Sequence, residues 1–258
     1  MTPEAIRNAL LELARSQGVR ILWACESGSR AWGFASPDSD YDGRFLYVHP
    51  RERYTSPWQP AEEIRVDLPG DLDFSGWDIG KALRLCEKSN ASLLEWLQSP
   101  IVYEQADGFR EALFPLASGS FSPREGIRNY LGIARSAAKA FGPDQRIKIK
   151  KLFYILRPLL AASWILEKGT VPPMTFEELL VPLKAAERSA LLAAIRRLEE
   201  AKRHAVEGEL HLPEAILLEF IAEQDETSRK AYEAMTEEAS ERRQILETFF
   251  LEALARWA

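Results

Sequence analysis

The stretch that most limits what this chain can fold into lies between Arg20 and His49. Residues Arg20 to Cys25 form an apolar run that reads as a strand, continuous enough to sit inside a sheet. A Gly28-Ser29 step follows, then ten residues that include the turn Ser36 to Ser39, then Asp40-Tyr41-Asp42. Tyr41 to His49 reads as a second strand, because Phe45, Tyr47 and Val48 favour extended backbone. Side chains alternate along a strand, so Asp40 and Asp42 are expected on one face. Two adjacent carboxylates repel each other without a cation. Mg²⁺, which binds through one or two carboxylates together with substrate phosphates, resolves that repulsion, with Mn²⁺ as the alternative. The Gly28-Ser29 step supplies the complementary part. Glycine lets the backbone approach an anion closely, the serine hydroxyl donates, and the amides of an opening helix face the negative charge. Each half is common alone. In the order strand, Gly-Ser, helix, turn, strand they point to the handling of a triphosphate.

The rest of the chain divides by pattern. Up to residue 119, helical and strand-like segments alternate; from 120 to 258 almost everything has helical period, giving an α+β protein with a mixed-sheet N-terminal domain and an all-helical C-terminal one. The first helix opens with Thr2 as N-cap and Pro3 at its first position, and buries Ile6, Leu10, Leu13 and Ala14. Residues 50–70 read as a loop with a short strand at 63–67, and Leu72 to Phe74 as a strand leading into a helix through a capping box from Ser75 to Asp78. Asn90 is expected to cap a helix over 91–98, with Trp77, Leu94, Trp96 and Leu97 in the core. In the second half, Ser122 to Glu125 is another capping box, Ile147 to Lys168 a helix ended by Gly169, and Thr175 the cap of a short helix. Helices over about 185–206, 213–235 and 237–257 complete the domain.

Composition excludes several classes. Two cysteines, Cys25 and Cys86, rule out a disulfide scaffold, and three histidines argue against a His-rich metal centre. No apolar run reaches membrane-spanning length and the first twenty residues read as an amphipathic helix, so a soluble, cytoplasmic protein without a membrane partner is expected. The net charge of -6 argues against a non-specific polyanion coat. Residues 146–157, RIKIKKLFYILR, hold five bases and no acid, and Lys150, Tyr154 and Arg157 fall on one stripe at helical spacing. Such a stripe suits a triphosphate or an RNA end, with Tyr154 stacking on a base; the plainer reading is a solvated basic face.

Three stretches carry a resemblance: GSRAWGFASPDSDYDGRFLYV (28–48), DFSGWDIGKALRLCEKSNASLLEWLQSPIVY (73–103) and KIKKLFYILRPLLAASWILEKGTVPP (148–173). The Gly-Ser and Asp-x-Asp elements resemble the nucleotidyltransferase superfamily that includes DNA polymerase beta. The three stretches together resemble its YcgL/RlaP-type members, associated by context with RNA repair. The resemblance implies metal-dependent transfer of an NMP from an NTP to an acceptor hydroxyl, an RNA end being one candidate. AMP transfer to a protein or small molecule, or an idle nucleotide-binding, antitoxin-like module, are the other readings. It also implies a third carboxylate on a neighbouring strand. Asp73 is preferred, with Asp67, Asp71 and Asp78 as rivals, so Asp40, Asp42 and Asp73 are the expected catalytic and metal ligands. Gly28, Ser29 and Arg30 are the expected phosphate contacts, although Arg30 equally suits an ion pair with Glu26 or Asp38. Arg44 shares the face of the Asp pair and suits either a nucleotide contact or relief of carboxylate repulsion. Gly43 departs from the apolar β-branched residue usual in this family, which suggests a looser strand or room near a ligand.

Overall fold

The computed structural model describes all residues except 37, 38, 59, 205–208 and 237–241. The chain packs as two compact units, Met1–Phe121 with Ala239–Ala258, and Ser122–Glu238. The first holds helices α1 (Pro3–Gln17), α2 (Gly28–Trp32), α3 (Ile79–Glu87), α4 (Ala91–Trp96) and α5 (Phe109–Gly119) around strands β1 (Arg20–Glu26), β2 (Tyr41–Val48), β3 (Glu63–Leu68), β4 (Leu72–Asp78) and β5 (Val102–Gln105). The second holds α6 (Pro123–Ala138), β6 (Ile147–Lys148), α7 (Ile149–Lys168), α8 (Phe176–Leu179), α9 (Val181–Ala185), α10 (Ser189–His204), β7 (Leu210–His211) and α11 (Ala215–Ala234). The last helix, α12 (Arg242–Trp257), groups with the sheet and not, as expected, with the helical domain. Phe249 and Trp257 of α12 set their rings 6.4 and 5.3 Å from that of Phe109, and Arg20 donates to the carbonyl of Trp257. Helical periodicity identifies a helix; it carries no information on which layer receives the apolar stripe.

The strands form one mixed sheet in the order β3-β4-β2-β1-β5. β2 and β4 run parallel, and the other pairs are antiparallel. The Thr2 hydroxyl accepts from Ala5 N as a cap should, and Ile6, Leu10 and Ala14 of α1 pack with Phe45, Tyr47, Phe74 and Ile64 on one sheet face. The strand expected at 72–74 extends to Asp78, so the capping box at Ser75 does not form. Asp78 itself is the N-cap of α3, accepting from Gly80 N at 2.8 Å and from the Tyr54 hydroxyl. Pairing with β2 takes up Ser75, Gly76 and Trp77 as strand residues, a tertiary demand that overrides the local cap signal. Trp77 and Trp96 stack with ring centroids 3.8 Å apart.

Two cross-strand pairs fix the register of β2 against β4. Gly43 pairs with Phe74 and Phe45 with Gly76, and each phenyl ring lies over the glycine beside it. A Cβ on Gly43 would stand 2.4 Å from Phe74 Cδ1, and one on Gly76 would stand 2.2 Å from Phe45 Cε2. The room left by Gly43 is filled by a core ring, so it is neither slack in the strand nor space for a ligand. Gly43→Val is expected to destabilise the protein by about 1–3 kcal/mol through overpacking. Phe74→Leu in the same chain should recover part of that loss in urea denaturation; equal losses with and without it would contradict the packing account.

Burial pushes the Asp78 carboxyl above its ordinary value, partly offset by donation from Tyr54 and Gly80 N. The folded chain therefore holds that proton more tightly than the unfolded one, and its contribution to stability is lost as pH rises through the folded pKa. Asp78→Asn keeps an N-cap oxygen and removes the titration. Its stability relative to the parent should improve as pH rises from about 4 to 8 in thermal melts, and a pH-independent difference would contradict the assignment.

Candidate active site

The face of the sheet opposite the Phe45–Phe74 core carries the expected chemistry. Asp42 and Asp73 are direct register partners on the parallel pair β2 and β4, so their side chains leave the sheet on the same side. Arg44, two residues along β2, lies between them. Its Nη2 donates to Asp42 Oδ1 at 2.8 Å and to Asp73 Oδ2 at 2.7 Å, and its Nη1 donates to the carbonyls of Asp73 and Gly43 at 3.0 and 3.1 Å. Of its two expected uses, the structure shows relief of carboxylate repulsion. Asp67 is the antiparallel partner of Asp73 on β3, one strand further out on the same face, and is exposed. Asp71 sits at a turn with φ 58°, its carbonyl accepting from Tyr41 N. Asp78 is committed to the α3 cap. Asp73 is thus the rival that stands beside Asp42.

The loop after β1 is stitched to Asp42 from both sides. Ser27 N donates to Asp42 O at 2.9 Å, and Asp42 N donates to Glu26 Oε1 at 2.7 Å. Glu26 is fully buried, and its other oxygen accepts from the Tyr103 hydroxyl on β5. Burial pushes the Glu26 carboxyl above its ordinary range, while the two donors pull it back. Gly28 follows at φ 62°, where a side chain is strained, and a Cβ there would stand 2.1 Å from Asp42 Oδ2. Glycine is therefore required twice, by its backbone angle and by the carboxylate beside it. Ser29 is buried in α2. Arg30 donates to the carbonyls of Ser39 (2.7 Å) and Asp40 (3.1 Å), and its guanidinium covers the Tyr41 ring at 3.8 Å. Arg30 thereby clamps the segment entering β2 and lies near enough to Glu26 to lower its carboxyl electrostatically; Asp38, the other proposed ion-pair partner, lies outside the described residues.

Asp40 is exposed and precedes β2, so strand alternation does not extend to it. Among the described residues, no three His, Cys, Asp or Glu side chains converge on a cation position, so the expected cluster of Asp40, Asp42 and Asp73 is not assembled as such. The donor chemistry of the remaining pair fits Mg²⁺: two hard carboxylates on adjacent strands, with the further oxygens left to substrate phosphates and water. Arg44 is the cation that now holds them.

In the second unit, the expected stripe is split. Lys150, Lys151 and Tyr154 of α7 line a groove of about 740 Å³ with Arg128, Asn129 and Ser136 of α6. Arg157 is buried, 3 % exposed, and donates to the Met174 carbonyl at 2.8 Å, which removes it from the candidate binding residues. Helical spacing puts Arg157 on the Lys150–Tyr154 stripe, but the middle of α7, where Arg157 lies, is covered by packing against α6, α8, α10 and α11, while Lys150 and Lys151 in its first turn are exposed. Glu26 and Tyr103 escaped the sequence reading. A glutamate ending an apolar strand one residue before Ser27-Gly28 is a weak signal, and Tyr103 reaches it only through β5.

With this geometry in place, the class is defined by sequence. Residues 2–252 match the family described as RlaP, RNA repair pathway DNA polymerase beta family, and the chain belongs to that family. It is 44% identical over 218 residues to the uncharacterized protein YcgL of Bacillus subtilis strain 168, across 84% of this chain and 83% of that one. Among solved structures, a nucleotidyltransferase-like protein from Exiguobacterium sibiricum matches at 13% identity and a TM-score of 0.32, over 98% of this chain and 87% of that one. No described helix is long and apolar enough to cross a membrane.

The contact between Gly28 and Asp42 can be isolated. Gly18 also has φ 62° but has open space at the Cβ position. Gly18→Ala should lose only the backbone preference, about 1–2 kcal/mol, whereas Gly28→Ala should lose more. Combining it with Asp42→Gly should narrow that gap in chemical denaturation. Equal losses at the two glycines would mean that Asp42 does not press on the loop.

Proposed function

We propose that the protein is a metal-dependent nucleotidyltransferase that moves an NMP from an NTP to an acceptor hydroxyl, the acceptor being an RNA end. The observation that carries the proposal is the register of Asp42 beside Asp73, with the Gly28 backbone pressed against the Asp42 carboxylate. Asp42 and Asp73 would hold Mg²⁺ (or Mn²⁺), with Asp40, two residues upstream, as the further carboxylate. A bound divalent ion supplies charge neutralisation of the triphosphate and activation of the attacking hydroxyl. The chain's own contribution is placement. Glu26 and Ser27 fix the Asp42 backbone, Gly28 and Ser29 offer the close-approach surface for phosphates, and Arg30 holds the Ser39–Asp40 segment that leads into Asp42.

The RNA acceptor rests on the description of the family and on the basic groove of the second unit. There, Lys150, Lys151 and Arg128 suit a phosphate backbone and Tyr154 suits a stacked base. The test is incubation with each α-labelled NTP, Mg²⁺, and a panel of RNA ends, tRNA and proteins. Asp42→Ala and Asp73→Ala should each reduce label transfer by about 10³-fold, the loss of several kcal/mol of charge stabilisation at 1.36 kcal/mol per tenfold. Lys150→Ala with Tyr154→Ala should weaken RNA-dependent transfer selectively. Transfer that persists in both aspartate variants would sink the mechanism, and label found on protein but not on RNA would replace the acceptor.

A further inference from the structure

Arg44 stands where a divalent ion shared by Asp42 and Asp73 would bind. One nitrogen, Nη2, contacts a carboxylate oxygen of each at 2.8 and 2.7 Å, and the other terminal nitrogen spans two backbone carbonyls. The Arg44 side chain is only 16% exposed. We propose that Arg44 is a built-in counter-cation that couples metal entry to nucleotide entry. The proposal rests on the reading of Asp42 and Asp73 as a metal-binding pair.

Arg44 opposes a bare divalent ion. Releasing both carboxylates would leave its charge in a shielded position with only the carbonyls of Gly43 and Asp73 as acceptors, and a charge stripped of its partner in such a place is strongly disfavoured. A metal–triphosphate complex changes that balance. The triphosphate brings more negative charge than the metal neutralises, so the guanidinium exchanges two carboxylates for phosphate oxygens, which suit its planar, two-pronged donor geometry. Arg44 lies on the strand that carries Asp42 and leaves the sheet on the same face, so the exchange requires side-chain rotation and no movement of β2. Metal and nucleotide are then thermodynamically linked through one residue, and the linkage is reciprocal. The consequence is an acidic site that rejects free cations until substrate arrives.

The test counts free Mn²⁺ by electron paramagnetic resonance, with and without a triphosphate analogue whose α,β-bridge cannot be transferred. It uses the full chain and the variants Arg44→Gln, Arg44→Lys and Asp42→Asn. The unaltered protein should bind bare Mn²⁺ weakly and bind it about tenfold or more tightly with the analogue. Arg44→Gln should bind bare Mn²⁺ about tenfold more tightly than the unaltered protein, with the coupling reduced by the same factor. Arg44→Lys, which keeps the charge, should stay near the unaltered protein. If Arg44→Gln binds bare Mn²⁺ no more tightly while Asp42→Asn abolishes binding, the metal pair stands and the role of Arg44 is overturned. If Mn²⁺ binds nowhere, with or without the analogue, the metal reading itself is overturned and this proposal with it. Should Arg44→Gln not fold, the unaltered protein still decides. Its Arg44 guanidinium ¹⁵N signal, assigned by its loss in Arg44→Lys, should move with Mg²⁺ and analogue together and stay in place with Mg²⁺ alone. A signal that moves equally in both, or in neither, overturns the proposal.

Discussion

The parallel register of β2 against β4 is the constraint on which the site depends. Side chains alternate along a strand, so a slip by one residue would send Asp73 into the core and Phe74 out to solvent. The register is held on the buried face by the reciprocal fit of Phe74 over Gly43 and Phe45 over Gly76. The opposite face then receives Asp42, Arg44 and Asp73 with no further specification. Packing of two rings against two glycines on one side of the sheet thus sets the distance between two carboxylates on the other. The departure at Gly43 belongs to this arrangement, since the pairing needs a small residue under the Phe74 ring.

Electrostatics around Asp42 follow from the same placement. The acidic pair would be unfavourable by itself, and the chain answers with one cation from β2, Arg44, which bridges the Asp42 and Asp73 carboxylates. Glu26, buried and held by Tyr103, receives Asp42 N and so couples β5 to the acidic strand through one side chain. The excess of acid in the composition is partly explained by such positions. Arg44 offsets that acidity locally at Asp42 and Asp73, so the net charge of -6 does not describe the field at this position.

Much of this was legible in the sequence, and the parts that were not share a cause. The first strands, the caps at Thr2, Asn90 and Ser122, and the Gly28 to Asp42 arrangement are local signals of period, cap chemistry and spacing, and the structure contains them. Asp73 was singled out among four carboxylates, and the β2–β4 register sets it beside Asp42. What escaped depends on contacts distant in sequence. Ser75 to Asp78 carries a cap pattern, yet pairing with β2 draws all four residues into a strand. Arg157 has the right helical spacing, yet its face of α7 is covered and its guanidinium serves the Met174 carbonyl. Arg30 neighbours the Gly-Ser step, yet reaches forward to the Ser39 carbonyl. The C-terminal helix has the period of its neighbours but the packing partners of the sheet. In each case local pattern specifies a residue's element, and tertiary contacts assign its side chain.

The central claim is that Asp42 and Asp73 form a cation site for a nucleoside triphosphate. Crystals grown with Mn²⁺ and a non-transferable triphosphate analogue, measured for anomalous scattering, test it most directly. The account predicts an anomalous peak at the Asp42 and Asp73 carboxylates, with Arg44 displaced onto phosphate. A peak elsewhere on the chain, with Arg44 still bridging Asp42 and Asp73 in the presence of bound analogue, would contradict it.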